Sequence, residues 1–407
     1  MRLARLSGPA GRNCVIAAVV VAVVFGLFYR APDFLTTMET KLYDLHFALR
    51  GARNPGDRVV VVAADEKSLT TLGRWPWPRS VLADLVTALS DGGAKVIAFD
   101  ILLSEPQVEG ELRVADRLRE RFTALGLSPL GGVGQALNQE MDALVKKADH
   151  DGRLEEAIRK SGRVVLPTMF EIVAAPPAVP PEPSGVPLKS ALVSFGHYAE
   201  RGQYPPLSAS GVSLPIARLE VAARDLGHAN MVADPDGTTR WEALVIEYRG
   251  YYYPSLAVQA ARLAMGVPDS GVKLDFGHAL AMGAVAVPVD PRNRMLIDYA
   301  GPMGAFRYLS AVDVLAGRMR PDAVRDRVVF LGASAAAIYD LRVTPLSAVL
   351  PGVEKHANVA ASLLSGRFLR RPDWVELLEA AGIVFWPFAL ALLLPRLRPI
   401  QIGRAHV

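Results

Sequence analysis

The chain of 407 residues carries a single cysteine, Cys14. No intrachain disulfide can form, so the fold must rest on its own core even if it faces an oxidising compartment. No Cys/His grouping has metal-ligand spacing, so no metal is expected. A G-x-x-x-x-G-K-[ST] phosphate loop and a G-x-S-x-G nucleophile elbow are both missing. No complete nucleophile–base constellation can be read, so no catalytic residue is assigned and no cofactor is expected. Charge is sparse at 21%, with a net +4 made of scattered arginines. That pattern carries no nucleic-acid footprint. Hydrophobic residues make up 51%, which excludes a disordered chain and points to membrane segments raising the apolar share.

What is present is organised around Arg58–Pro106. Val59–Ala64 is a continuous apolar run ending in Asp65, the pattern of a strand buried on both faces. Trp75-Pro76-Trp77-Pro78 follows, and Pro78 suits a first helical turn. Leu82, Leu85, Val86 and Leu89 then fall on one helical face, with Ser80, Asp84, Thr87 and Asp91 opposite. Gly92-Gly93 ends the helix, and Ala94–Ala98 forms a second strand with Phe99-Asp100 at its end. This is a β-α-β unit, which places Asp65 and Asp100 at one sheet edge, where open α/β sheets bind ligands.

Arg2, Arg5 and Arg12 precede the uncharged run Asn13–Tyr29. Its length is near the lower limit for a spanning helix. An uncleaved anchor is favoured over a cleaved signal peptide, because no A-x-A site follows. The arginines put residues 1–12 in the cytoplasm, 13–30 in the membrane and 31–373 outside. Trp374–Pro395 reads as a second span, with Glu376 and Glu379 at its outer end and Arg396 and Arg398 inside. The expected architecture is therefore α/β, a mixed and largely parallel sheet with flanking helices, plus two transmembrane helices. Residues 108–160 read as a helical insertion, with helices over Gly110–Leu125 and Gly134–Lys160. Residues 174–187 are a proline-rich solvated loop.

Among candidate site residues, Asp65 and Asp100, joined by Glu66 and Glu105, could hold a divalent cation. Trp75 and Trp77 either stack on a ligand or fix the helix start by burial. Arg79 either contacts an anion or pairs with Asp65 or Asp100. Asp149 and Asp151 suit a helix N-terminus. Asp234 and Asp236 could bind a cation, but the Asp236-Gly237 pair favours a turn. Gly332-Ala333-Ser334 could offer backbone N–H groups to an anion. His228 and His356 are candidate bases, more often hydrogen-bonded structural residues.

These blocks also resemble a family. Asp65-Glu66-x-Ser-Leu, Gly73-x-Trp75-Pro-Trp77-Pro-Arg79, Gly92-Gly-Ala, Ile97-Ala-Phe-Asp100-Ile and Ser104-Glu105-Pro occur in order. Further along come Gly227-x-x-Asn230, Asp234-x-Asp236-Gly with Arg240, Gly332-x-Ser334-Ala, Asp340 with Thr344-Pro345, Pro351-Gly-Val-Glu-x-His356-Ala and Arg371-Pro-x-Trp374. Asp44, Phe47 and Arg50 match an Asp-x-x-Phe-x-x-Arg pattern ahead of them. The set resembles the type-two CHASE domain, the cyclase/histidine-kinase-associated sensory extracellular domain of bacterial receptors. The resemblance implies a sensor in the inner membrane, its main domain periplasmic or extracellular. It would respond to an unknown small-molecule or periplasmic ligand and act as a homodimer. The implied output is an adenylate or guanylate cyclase, with a histidine or serine/threonine kinase as the alternative. A stand-alone metal-dependent enzyme and a structural envelope protein are the rivals from other classes. In this family three membrane helices and an output domain follow, so residues 396–407 read as a truncated tail. Ile402–Val407 matches what a common sequencing adapter encodes in one frame.

Overall fold

The computed structural model describes residues 9–30, 33–107, 110–126, 131–173, 190–335, 341–370 and 373–393. The proline-rich loop 174–187, Asp340 and the tail 396–407 lie outside the described residues. The chain divides into two compact units, one of Met1–His46 with Arg370–Val407 and one of Phe47–Leu369.

In the first unit, the helix Pro9–Arg30 packs along the helix Asp373–Leu393, which carries Pro387 in its interior. Val15, Ile16, Val19 and Val23 on the first, and Leu377, Leu378, Phe385 and Trp386 on the second, are exposed. Among the described residues no helix is long and apolar enough to cross a membrane. The two spans expected from the sequence therefore find helices at their positions but no support as spans.

The second unit is built on a nine-stranded mixed sheet. The Val59–Ala64 strand is buried at every residue, as its uninterrupted apolar run requires. It pairs in parallel with Arg307–Ser310 on one side and Val328–Ala333 on the other. Val328–Ala333 pairs in parallel with Val96–Phe99, which pairs in parallel with the start of Val164–Val173. Asp225–His228 continues the parallel run, while Leu207–Ser213 lies antiparallel to the far half of Val164–Val173. Val245–Tyr248 and Tyr251–Pro254 complete the sheet. The expected largely parallel, mixed sheet is thus present, with one difference: Asp65 and Asp100 follow strands that are not neighbours. Val328–Ala333, from more than two hundred residues downstream, lies between them.

The helix Arg79–Asp91 buries Leu82, Leu85, Val86 and Leu89, the face its spacing predicts, and also Ser80. The stretch Gly134–Lys160 is two helices, Gly131–Ala148 and His150–Ser161. Asp149 caps the second by accepting a hydrogen bond from Gly152 N at 2.8 Å. Leu154 and Ile158 of that helix enter the main core with Trp77, Phe99 and Leu166. The stretch Trp241–Tyr248 forms two strands that break at Leu244. Trp241–Ala243 pairs with Arg294–Leu296, and Val245–Tyr248 joins the main sheet. A separate four-stranded sheet holds Ser194–Gly196, Val272–Asp275, Ala279–Met282 and Val285–Pro288.

Candidate functional site

The C-terminal edge of the parallel strands carries Asp65, Asp100, Ser310 and Ser334. Asp65 Oδ1 accepts from Ser68 N at 2.9 Å, capping the helix Glu66–Leu72, and from Ser310 Oγ at 2.8 Å. Ser68 Oγ accepts in turn from Val312 N at 3.1 Å. The Asp65 carboxylate is thus committed to tying two strand ends together. Glu66 is exposed in the first helical turn, and Ser104 and Glu105 are exposed on the loop after Asp100. Ser334 is buried, its N–H donating to Ala64 O at 3.2 Å.

Trp77 is buried, donates Nε1–H to Gly73 O at 3.1 Å and meets Trp75 edge-on with ring centroids 5.0 Å apart. Burial of the helix start is therefore what Trp77 does. Arg79 pairs with Asp151 (3.4 Å) rather than with Asp65 or Asp100, and donates to Glu105 O at 3.1 Å. Asp234 and Asp236 do receive a cation, but it is the guanidinium of fully buried Arg240, at 2.7 and 2.8 Å. Gly237 N donates to Asp234 O at 2.8 Å, closing the expected turn. Asn230 acts as an extra strand residue: its amide donates to Phe170 O at 2.7 Å and accepts from Phe170 N at 2.9 Å.

Beneath this edge runs the helix Gly352–Ser365, buried on nearly every side although it carries Glu354, Lys355, His356 and Asn358. An interior polar helix needs partners for each group, and the surrounding loops supply them. Lys355 pairs with Glu242, both fully buried, and donates to Asn230 O at 3.3 Å. His356 lies nearly parallel to the Phe330 ring, 17° between planes and 6.3 Å between centroids, and places Nε2 3.7 Å from Asp100 Oδ1. Burial first, then the Lys355 charge, holds the imidazoles of His356 and His228 well below the usual histidine range, so both are neutral at neutral pH. Burial pushes the Glu242 and Glu354 carboxyls up, against the Lys355 charge and the Tyr308 hydroxyl respectively. Glu354 accepts from Tyr308 Oη at 2.7 Å and from Ala305 N at 3.1 Å; Asn358 Oδ1 accepts from Ala300 N at 2.7 Å.

That same loop begins at Asp298, which pairs with both Arg50 and Arg53. Arg50 stacks over Phe47, and Phe47 packs edge-on against Tyr299. The end of the helix Asp33–Arg50 is thereby joined through Asp298–Phe306 to the buried polar helix. A small cleft of about 170 Å³ beside the edge strand Arg307–Ser310 is lined by Arg307, Tyr308, Asp313, Arg318 and Arg320. Its volume is below that of an ordinary small-molecule pocket.

Sequence reasoning missed Lys355, the unspecified position in Pro351-Gly-Val-Glu-x-His356, because a lysine on an amphipathic stretch reads as solvated. It also missed Glu242, whose partner lies more than a hundred residues away. His197, Glu200 and His278 converge as well, beside the four-stranded sheet, with ligating atoms all within 4.8 Å of one another.

Neither curated proteins nor solved structures give a match to the chain. The CHASE2 domain matches residues 17–394, both helices of the first unit included for most of their length. With that match spanning nearly the whole chain, and with the site blocks placed on one sheet edge and one buried helix, this chain belongs to the CHASE2 family of sensory domains.

Proposed function

We propose that this chain is the extracytoplasmic sensing portion of a bacterial membrane receptor. It would regulate a nucleotide cyclase in the same protein, with a histidine or serine/threonine kinase as the alternative output. The observation that carries the reading is the family match over residues 17–394. The uncharged run Asn13–Tyr29 behind three arginines and the segment Trp374–Pro395 before Arg396 supply the orientation argument. The exposed apolar side chains on both helices of the first unit favour burial in lipid or in a partner. Ligand binding would act by differing in affinity between two arrangements of the Asp298 loop and the buried helix. A homodimer in the inner membrane and a small-molecule or periplasmic ligand complete the reading.

The test is an alkaline phosphatase fusion after Arg50 beside a green fluorescent fusion at the same point. An active phosphatase and a dark fluorophore are expected. The reverse pair places the sensor in the cytoplasm and overturns the proposal.

A further inference from the structure

We propose that His197, Glu200 and His278 form a binding site for a divalent transition-metal ion of the zinc type. They come from two segments beside the four-stranded sheet: His197 and Glu200 from the chain after Ser194–Gly196, His278 from the turn after Val272–Asp275. Ser194–Gly196 runs parallel to Val272–Asp275, with Gly196 level with Asp275. His197 follows Gly196 at once, in a left-handed conformation (φ 45°, ψ 37°) that turns the chain into the short helix Tyr198–Gly202. Glu200 sits one turn along, its N–H donating to His197 O at 2.8 Å. His278 stands in the tight turn after Asp275, its N–H donating to Asp275 O at 3.0 Å. The strand pairing therefore brings a His-x-x-Glu and a distant histidine to one spot.

Their geometry suits a metal. The imidazole centroids are 4.7 Å apart, and His278 Nε2 lies 3.7 Å from a Glu200 carboxylate oxygen. Two ligands of a tetrahedral zinc ion at about 2.0–2.1 Å are about 3.3 Å apart. All three ligand atoms already lie within 4.8 Å, so side-chain rotation alone closes the gap. His197 presents Nδ1 to Asp275, which leaves Nε2 for the ion. A carboxylate on the far nitrogen of a ligating histidine fixes its tautomer and orientation. Two imidazoles and one carboxylate suit zinc, nickel, copper or cobalt better than calcium or magnesium, and leave a coordination position for water or a ligand.

The support beneath is rigid. Phe195, Tyr198, Tyr252 and Phe276 pack with centroids 5.3–6.1 Å apart under the site. Gly277 N donates to Asn293 Oδ1 at 2.9 Å, and Asn293 donates to Tyr204 O at 2.7 Å, pinning the His278 turn to the chain after Glu200. Near His197, Lys273 opposes a cation, while Asp275 and Glu200 favour one.

The experiment uses the untagged, full-length chain, stripped with a chelator and titrated with Zn²⁺ by calorimetry, then with Co²⁺ for its visible spectrum. One equivalent of Zn²⁺ at micromolar or tighter affinity and a Co²⁺ band of a histidine-ligated, low-coordinate site are expected. His197→Ala and His278→Ala should each weaken binding at least about tenfold, and Asp275→Asn about 10–100-fold. His150→Ala, at the start of the helix His150–Ser161 and not one of the three, should leave binding unchanged. Circular dichroism confirms that the variants keep their fold, as half-exposed positions allow. Failure of the wild-type chain to take up Zn²⁺, or uptake that persists in the double variant His197→Ala/His278→Ala, overturns the proposal. The site stands or falls independently of membrane orientation.

Discussion

The Lys355–Glu242 pair sets the sharpest test of the buried helix. Both side chains are fully buried. Lys355→Met keeps the stem and removes the charge, leaving Glu242 inside the protein with the Ser255 hydroxyl beside it. Removing one partner of a buried ion pair costs about 3–5 kcal/mol, which is roughly two to four powers of ten in the unfolding equilibrium at 1.36 kcal/mol per tenfold. Replacing both, in Lys355→Met/Glu242→Leu, should recover most of that loss, because well-packed apolar groups match a buried pair. The single variant also has a pH signature. Burial already raises the Glu242 pKa in the folded state. Between its unfolded value and that raised value the folded state binds the extra proton, so the deficit of Lys355→Met shrinks as pH falls through the window. Urea unfolding of the purified chain, followed by tryptophan fluorescence at pH 7.5 and 6.0, reads all of this. A single variant within 1 kcal/mol of wild type, or a double variant as unstable as the single, would refute the account of the buried helix.

Two further outcomes follow from the same physics. His228 and His356 are held neutral with folded pKa values well below the unfolded one, so each contributes stability that is lost as pH falls through the unfolded histidine pKa. His356→Gln should lower the slope of stability against pH between about 6.5 and 5.5 by about 1 kcal/mol per unit, read from denaturant midpoints; an unchanged slope would mean that His356 is already charged or exposed. Gly277→Ala should destabilise the small sheet, because φ is +72° and a Cβ would meet the Tyr204 ring at 2.4 Å. A loss of about 1–3 kcal/mol is expected by thermal unfolding, and a neutral result would show that Tyr204 swings away freely.

Much of the fold was legible because its signals are local. Val59–Ala64 announces a doubly buried strand by its run of valines, and Leu82, Leu85, Val86 and Leu89 announce a helix by spacing. Capping was legible too: Asp149 lies where a helix must begin. Pairing across the sheet was not. Nothing in the sequence near Asp65 or Asp100 says that Val328–Ala333 will enter between their strands, because parallel neighbours are chosen by packing of the whole chain. The candidate site divides the same way. Asp234, Asp236 and Arg240 were found together because they are close in sequence, although the cation they surround is the arginine itself. Trp77 was narrowed to two roles that burial decides. His197 and His278 stand eighty-one positions apart and meet only through strand register, which no spacing rule reports.

The placement of Val328–Ala333 also governs how the protein is made. When Val59–Ala64 and Val96–Phe99 have left the ribosome, the slot between them is vacant, and each presents an unpaired backbone edge. A ribosome working at about 5–20 residues per second needs roughly 10–45 s to deliver the strand that fills it. During that interval the most apolar segments of the sensor are the most adhesive part of the nascent chain. Chaperones must therefore keep the first half of this domain apart from its neighbours until the second half is synthesised, and a chain cut anywhere before Ala333 cannot close its own sheet.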